Sequence, residues 1–315
     1  MARGRLIKPS MSRAKTRNSD YWSNVQYGAH LIGRPLHFGI SLHISHIKGV
    51  QAMKVAFIAF LLTLSFAGTA PAKVVGKTVE YKAGDVTLKG YLAYNSSIKG
   101  KHPGIIVVHE WWGLTDYPKT RARMLAKLGY VAFAADMYGD GRTAENPTDA
   151  GKYAGESMKD PAQLQAKFTA ALEYLRQNEH VDASQIAAIG YCYGGGVVLN
   201  MADAGVDLKG VVSFHGTLGG VTPPEKGNLK AKILVCAGGA DKFNSAENVE
   251  KFKSAMKEAG ASMKYVTYKG ALHAFTNPGA TKLGKKFKLP IAYNKKADQE
   301  SWSEMQRFFK RIFKK

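Results

Sequence analysis

Cys192 stands in Gly190-Tyr191-Cys192-Tyr193-Gly194, directly after the apolar run Gln185-Ile186-Ala187-Ala188-Ile189. A residue raised on a sharp strand-to-helix turn needs small neighbours two positions before and after it. Side chains there would strike the adjoining strand and the helix that begins at once. A thiol presented in this way is a nucleophile. An acid and a histidine follow it, each after a strand-like segment: Asp241 in Gly238-Gly239-Ala240-Asp241, and His273 in Gly270-Ala271-Leu272-His273-Ala274-Phe275. In such a set Cys192 attacks a carbonyl carbon and His273 exchanges the proton, while Asp241 orients the imidazole and stabilises its charged form. The oxyanion then needs two backbone N–H groups, that of Tyr193 just after the nucleophile and one near Trp111. Each residue alone has a plainer reading, as a buried cysteine, a surface histidine or a turn aspartate. Their order and their strand-end positions favour catalysis.

A fourth element, His109-Glu110-Trp111-Trp112-Gly113-Leu114, is only superficially like the H-E-x-x-H of zinc proteases. Position 113 is glycine, and the segment ends a strand instead of lying within a helix. Metal is rejected on that ground and no cofactor is implied. The chain has two cysteines, too few for a disulfide framework, and Cys236 in Ile233-Leu234-Val235-Cys236 reads as a core strand residue.

Positioning these residues requires a scaffold, and from Lys73 onward strand and helix patterns alternate. This predicts an α/β fold, a mostly parallel central sheet with helices on both faces. Val79–Lys82 and Val86–Tyr94 read as an opening antiparallel pair, and Gly104–His109 as a buried strand. A helix starts at Thr115-Asp116-Tyr117-Pro118 and closes at Gly129. Tyr130–Ala135 is strand, residues 139–160 read as an irregular excursion over the active face, and Leu164–Leu175 as helix. Ile186–Tyr191 leads into the elbow. Gly210–Phe214, Lys232–Cys236 and Met263–Tyr268 complete the strands. Val249, Phe252, Met256 and Ala259 mark one late helix, and Trp302, Met305, Phe309, Ile312 and Phe313 mark the last, from about Ser301 onward. The last helix has acids early and bases late, which suits its macrodipole, so the basic end needs no partner. Strand-end loops on one edge of such a sheet converge, so residues far apart in sequence can meet.

The N-terminal part reads differently. Met53-Lys54, the apolar run Val55 to Phe66 and the small-residue end Ala70-Pro71-Ala72 have the pattern of a secretory signal peptide over residues 53–72. The run is too short to span a bilayer comfortably. Residues 1–52 carry eight Lys/Arg against one acid, Asp20, and show no helix or strand period. A basic arm is one reading; a start codon assigned upstream of the true Met53 is the expected one. Lys48-Gly49-Val50 can be encoded by a purine-rich ribosome-binding sequence at a suitable distance. One folded domain is then expected over residues 73–315. Without residues 1–72 the chain keeps 36 basic and 23 acidic residues, a net of +13 against +21 for the whole. That excess is spread along the chain without aromatic-interleaved basic clusters. It could favour anionic envelope components, and it argues against nucleic acid as a partner.

From about Val79 to its end the chain resembles the dienelactone hydrolase family of α/β-hydrolases. The likeness is carried by Gly190-Tyr191-Cys192-Tyr193-Gly194-Gly195, His109-Glu110-Trp111-Trp112-Gly113, Ala135-Asp136-Met137-Tyr138, Gly239-Ala240-Asp241 and His273-Ala274-Phe275. It implies a Cys-His-Asp triad that hydrolyses a small-molecule ester or lactone through an acyl-thioester; with the signal pattern at 53–72, the expectation is an exported bacterial member without a stable membrane anchor after signal cleavage. It also implies that Glu110 contacts the resting thiol and helps generate the thiolate when substrate arrives. A nearby carboxylate disfavours a thiolate until the pair rearranges, and such gating would limit oxidation. One departure stands out. The dienelactone-cleaving members hold the substrate carboxylate with arginines, one of them four residues after the catalytic histidine. That position is Asn277, and no arginine lies between Arg176 and Arg307. Asparagine cannot reproduce a bidentate clamp, so dienelactone itself is not the expected substrate. The aromatic residues Trp111, Trp112, Tyr138, Tyr193 and Phe275 suit either an acyl pocket or ordinary core. A non-catalytic binding or stress protein on the same scaffold is the alternative function. Retention of all four chemical residues argues against it.

Overall fold

The computed structural model describes residues 73–222, 224 and 227–313. The expected signal peptide at 53–72 and the extension at 1–52 lie outside the described residues.

Eight strands form one sheet: β1 (Val74–Ala83), β2 (Val86–Asn95), β3 (His102–Val108), β4 (Val131–Ala135), β5 (Val181–Tyr191), β6 (Gly210–Phe214), β7 (Lys232–Gly238) and β8 (Met263–Tyr268). Their order is β1-β2-β4-β3-β5-β6-β7-β8. β1 pairs antiparallel with β2 through the tight turn at Gly84, where φ is +57°, and β2 pairs antiparallel with β4. Every later pairing is parallel. The mostly parallel α/β-hydrolase architecture is therefore present.

The helices are α1 (Asp116–Lys127), α2 (Pro147–Lys159), α3 (Pro161–Arg176), α4 (Tyr193–Asp203), α5 (Ala246–Glu258), α6 (Ala280–Phe287) and α7 (Lys295–Ile312). The central strands are continuously apolar because both of their faces are covered. On β3, Ile106 and Val108 face a core shared with Phe168 of α3, Val197 and Val198 of α4 and Phe252 of α5. Ile105 and Val107 face the opposite core, with Leu125 of α1 and Met305 and Phe309 of α7. β5 and β7 alternate in the same way, with Ala188 and Val235 on one side and Ile189 and Leu234 on the other.

The helices depart from the sequence expectation in three places. The excursion at 139–160 contains α2, entered through Asn146, whose side chain accepts from the Asp149 amide at 3.0 Å, with Pro147 at its first position. Gly151 and Gly155 disguise it, since glycine in a polar run reads as loop. α6 is a short helix, absent from the sequence expectation, whose apolar face of Ala280, Leu283 and Phe287 is spread over only eight residues among lysines. α7 begins at Lys295, earlier than expected, capped by the Asn294 side chain on the Ala297 amide at 3.0 Å. Its first turns are polar because Lys295, Lys296, Gln299 and Glu300 face solvent, while Asp298 pairs with buried Arg121 of α1.

Candidate active site

The site gathers at the carboxyl ends of the parallel strands. Cys192 lies between β5 and α4 with φ +55° and ψ −117°, a strained conformation for a residue with a side chain. The glycines around it are required by close approach. A Cβ on Gly190 would sit 1.9 Å from the Gly194 carbonyl oxygen, and one on Gly194 would sit 2.5 Å from that of Val108 on β3. Gly195 is equally confined, with Gly216 Cα 2.6 Å from its hypothetical Cβ. The Gly194 amide donates to the His109 carbonyl at 3.1 Å, which locks the elbow to the end of β3.

His273, in the loop after β8, places Nδ1 2.8 Å from Asp241 Oδ2, with both side chains almost wholly buried. The other Asp241 oxygen accepts from the Phe243 amide at 2.8 Å, so the carboxylate is fixed before it meets the imidazole. Burial opposes a charge on His273, but the Cys192 thiolate and the hydrogen bond to Asp241 outweigh it and raise the imidazole to about 10. An imidazolium at His273 is therefore favoured once Cys192 gives up its proton beside it. The ring of Phe243, itself exposed, lies 4.5 Å from that of His273.

The backbone N–H groups of Trp111 and Tyr193 have no protein acceptor among the described residues. Both residues border the cavity that holds Cys192, and Tyr193 opens α4, so the positive end of the helix faces the nucleophile. They are the available donors for an oxyanion. By contrast, the Cys192 amide is engaged, donating to the Phe214 carbonyl at 3.0 Å and to His215 Nδ1 at 3.2 Å.

Glu110 lies in the same cavity wall, but its carboxylate is held by Asn277, whose Nδ2 donates to Oε2 at 2.7 Å. The residue standing in the arginine position thus holds one carboxylate oxygen of Glu110, in the cavity wall that also contains Cys192. Burial raises the Glu110 carboxyl to about 7, against the Asn277 hydrogen bond and the charges of His273 and Arg121. His109 has a structural part. Its Nδ1–H donates to the Glu110 carbonyl at 2.6 Å and its Nε2 accepts from the Met137 amide at 3.3 Å. Among the described residues no group of three or more potential ligands could hold a metal ion. Asp136, part of the family-like Ala-Asp-Met-Tyr run, accepts from the amides of Lys89, Tyr138, Gly139 and Gly141 and so shapes the loop after β4.

The cavity measures about 310 Å³. Trp111, Trp112, Met158, Phe243 and Ile291 give it apolar walls, and among the described residues no lysine or arginine lines it. Trp112 thus takes its expected place. Tyr138 and Phe275 do not: Tyr138 is buried with its hydroxyl donating to the Trp111 carbonyl at 2.9 Å, and Phe275 is packed in the core against Tyr268 and His215. Arg142 is spent on the Tyr138 carbonyl and the Tyr153 ring. Sequence reasoning missed Phe243, Met158 and Gly155 at the cavity and His215 behind it. The last alone left a trace, the pair His215-Gly216 directly after β6.

The family model for the dienelactone hydrolase family matches residues 88–313. Protein usf of Aquifex pyrophilus is 30% identical over 242 residues, covering 75% of this chain and 98% of its own length. A crystal structure of a dienelactone hydrolase-like promiscuous phosphotriesterase from metagenomic libraries is 30% identical, with a TM-score of 0.71 over 76% of this chain and 99% of the other. The structure of a protein named m3DLH is 32% identical, with a TM-score of 0.72 over the same shares. With a nucleophile elbow, a buried His–Asp pair and this coverage together, the chain belongs to the dienelactone hydrolase family.

Proposed function

We propose that this protein hydrolyses small, uncharged esters or lactones, with Cys192 as nucleophile, His273 as acid–base and Asp241 as its orienting partner. The observation that carries this reading is Cys192 on its elbow, sharing with His273 a cavity of about 310 Å³ that no lysine or arginine among the described residues lines. The thiolate attacks the carbonyl carbon, and the oxyanion takes the Trp111 and Tyr193 N–H groups. Collapse expels the alkoxide, which takes its proton from His273, and leaves an acyl-thioester. His273 then removes a proton from water. The resulting hydroxide adds to the thioester, and the thiolate departs with release of the acid.

An anionic substrate would have to leave water for a wall that offers Glu110 and no lysine or arginine among the described residues, His273 being already paired with Asp241. Neutral acyl groups fit the aromatic walls. A panel of p-nitrophenyl esters and lactones tests the reading. Turnover in the wild type and none in Cys192→Ala is the expected result; equal turnover in both would overturn it.

We also propose that the protein is exported, with residues 53–72 as a cleaved leader, for the run Val55 to Phe66 and the Ala70-Pro71-Ala72 end support it. Among the described residues no helix is long and apolar enough to cross a membrane. Intact-mass analysis of a periplasmic fraction should find a species beginning near Lys73. A species retaining Met53 would overturn export with cleavage.

A further inference from the structure

His215 reaches both partners of the proposed chemistry from behind. Its Nδ1 accepts from the Cys192 amide at 3.2 Å, and its ring lies 5.2 Å from the His273 ring, edge to face. Its Nε2 is 2.6 Å from Thr276 Oγ1. Because Nδ1 accepts an N–H, the proton sits on Nε2 and is donated to the threonine hydroxyl. Thr276 Oγ1 is in turn 2.6 Å from the Tyr117 hydroxyl, which accepts from Arg121 Nε at 3.2 Å. Arg121 also donates to the Thr276 carbonyl at 2.5 Å and to Asp298 at 2.5 Å. The chain of contacts runs from the nucleophile's amide through the loop after His273 to α1 and α7.

Two further facts set His215 apart from an ordinary core histidine. Its φ is +40°, so two non-glycine residues with positive φ, Cys192 and His215, face each other across one hydrogen bond. Such strain persists only where the surroundings over-determine it. Burial, and then the charges of His273 and Arg121, push its imidazole well below the ordinary histidine range. It therefore stays neutral beside an imidazolium, as an acceptor for the amide must.

We infer that His215 is a positioning residue, fixed in its Nε2–H form by Thr276, that sets the Cys192 backbone against His273. This rests on Cys192 as the nucleophile. His215 has no contact with substrate and transfers no proton. Its contribution is the placement of sulfur relative to imidazole.

The test compares His215→Phe, His215→Asn and Thr276→Val with wild type on a p-nitrophenyl ester. An asparagine side chain presents an acceptor near the place of Nδ1, whereas phenylalanine has none. Turnover, read as kcat, should therefore fall about 10- to 100-fold in His215→Phe with KM little changed. His215→Asn should recover most of that loss. In histidine-¹⁵N-labelled wild type, NMR should show His215 with Nε2 protonated and Nδ1 accepting, and Thr276→Val should loosen that preference. Wild-type kcat in a folded His215→Phe would overturn the inference, as would His215→Asn being equally slow. A His215 protonated at Nδ1 would do the same without any need for His215→Phe to fold. A wild type inactive on every ester would instead sink the nucleophile reading, which separates the two failures.

Discussion

Glu110 and Asn277 form a sealed pair at the cavity wall, 2.7 Å apart, each more than nine-tenths buried. Asparagine holds the carboxyl without neutralising it. A cation at that position would keep Glu110 ionised, whereas here burial wins and the group titrates at about 7. The residue that replaces the expected arginine therefore changes the charge state of the carboxyl beside the nucleophile, in addition to removing a substrate clamp.

Stability should depend on pH through this pair, with a definite sign. The folded state keeps the Glu110 proton up to about 7, whereas the unfolded chain releases it near 4.5. Its contribution is complete below the lower value and lost as pH rises through the upper one. Glu110→Gln removes the titration while keeping an acceptor for Asn277. Thermal unfolding of both proteins from pH 5 to 8 should show the variant gaining on wild type with pH, by roughly 2–3 kcal/mol in total. A pH-independent difference would place the carboxyl's titration elsewhere.

Glycines in the chain divide by what a methyl group would meet. Gly190→Ala puts Cβ into the Gly194 carbonyl at the elbow and should unfold or severely destabilise the protein, by more than about 3 kcal/mol. Gly151, in α2, has open space around its hypothetical Cβ. Gly151→Ala should stabilise by about 0.5–1 kcal/mol through helix propensity. Urea titrations would measure both, and a destabilised Gly151→Ala would contradict the helical assignment of α2.

The cavity predicts selectivity by charge. Between an ester bearing a free carboxylate on its acyl group and the corresponding methyl-capped diester, the neutral compound should have a kcat/KM higher by about tenfold or more, since roughly 1.4 kcal/mol of unpaired-charge cost suffices. Competition between the two substrates reads this directly. Equal values would require a cation that reaches the bound substrate.

The triad and the elbow were legible because their signals are backbone requirements. Gly190 and Gly194 flank Cys192 for reasons of contact distance, and strand-end residues converge on one edge whatever the rest of the sequence says. Which aromatics line the cavity was not legible, for Trp112 and Phe275 are the same kind of residue in sequence. They separate only through packing, Phe275 being drawn into the core against Tyr268. α2 escaped because its glycines hide a helix that Asn146 and Pro147 announce. Asn277 showed what it lacked as an arginine, but its partner lies 167 positions away, beyond any local pattern.

The two cysteines should differ sharply in reactivity, and the pH dependence of that difference tests the part played by Glu110. Cys236 is buried in β7, accepts a hydrogen bond from Tyr268 at 3.7 Å, and burial pushes its thiol up to about 12. It should resist iodoacetamide in the folded protein, and Cys236→Ala should cost only about 1 kcal/mol of stability. Cys192 opens onto the cavity beside a His273 that its own thiolate helps to charge, so it should carry the label. Removing it in Cys192→Ala should lower turnover by about 10⁴- to 10⁶-fold with the fold retained. Glu110 enters through charge. Below about pH 7 it is neutral, and above that value it places a second negative charge near the thiolate. Wild-type alkylation should therefore rise less steeply above pH 7 than alkylation of Glu110→Gln, the two curves converging in acid. Peptide mapping with rates measured from pH 5 to 9 decides the matter. Superimposable curves with turnover retained in the variant would leave Cys192, His273 and Asp241 acting alone, with Glu110 a buried partner for Asn277 and nothing more.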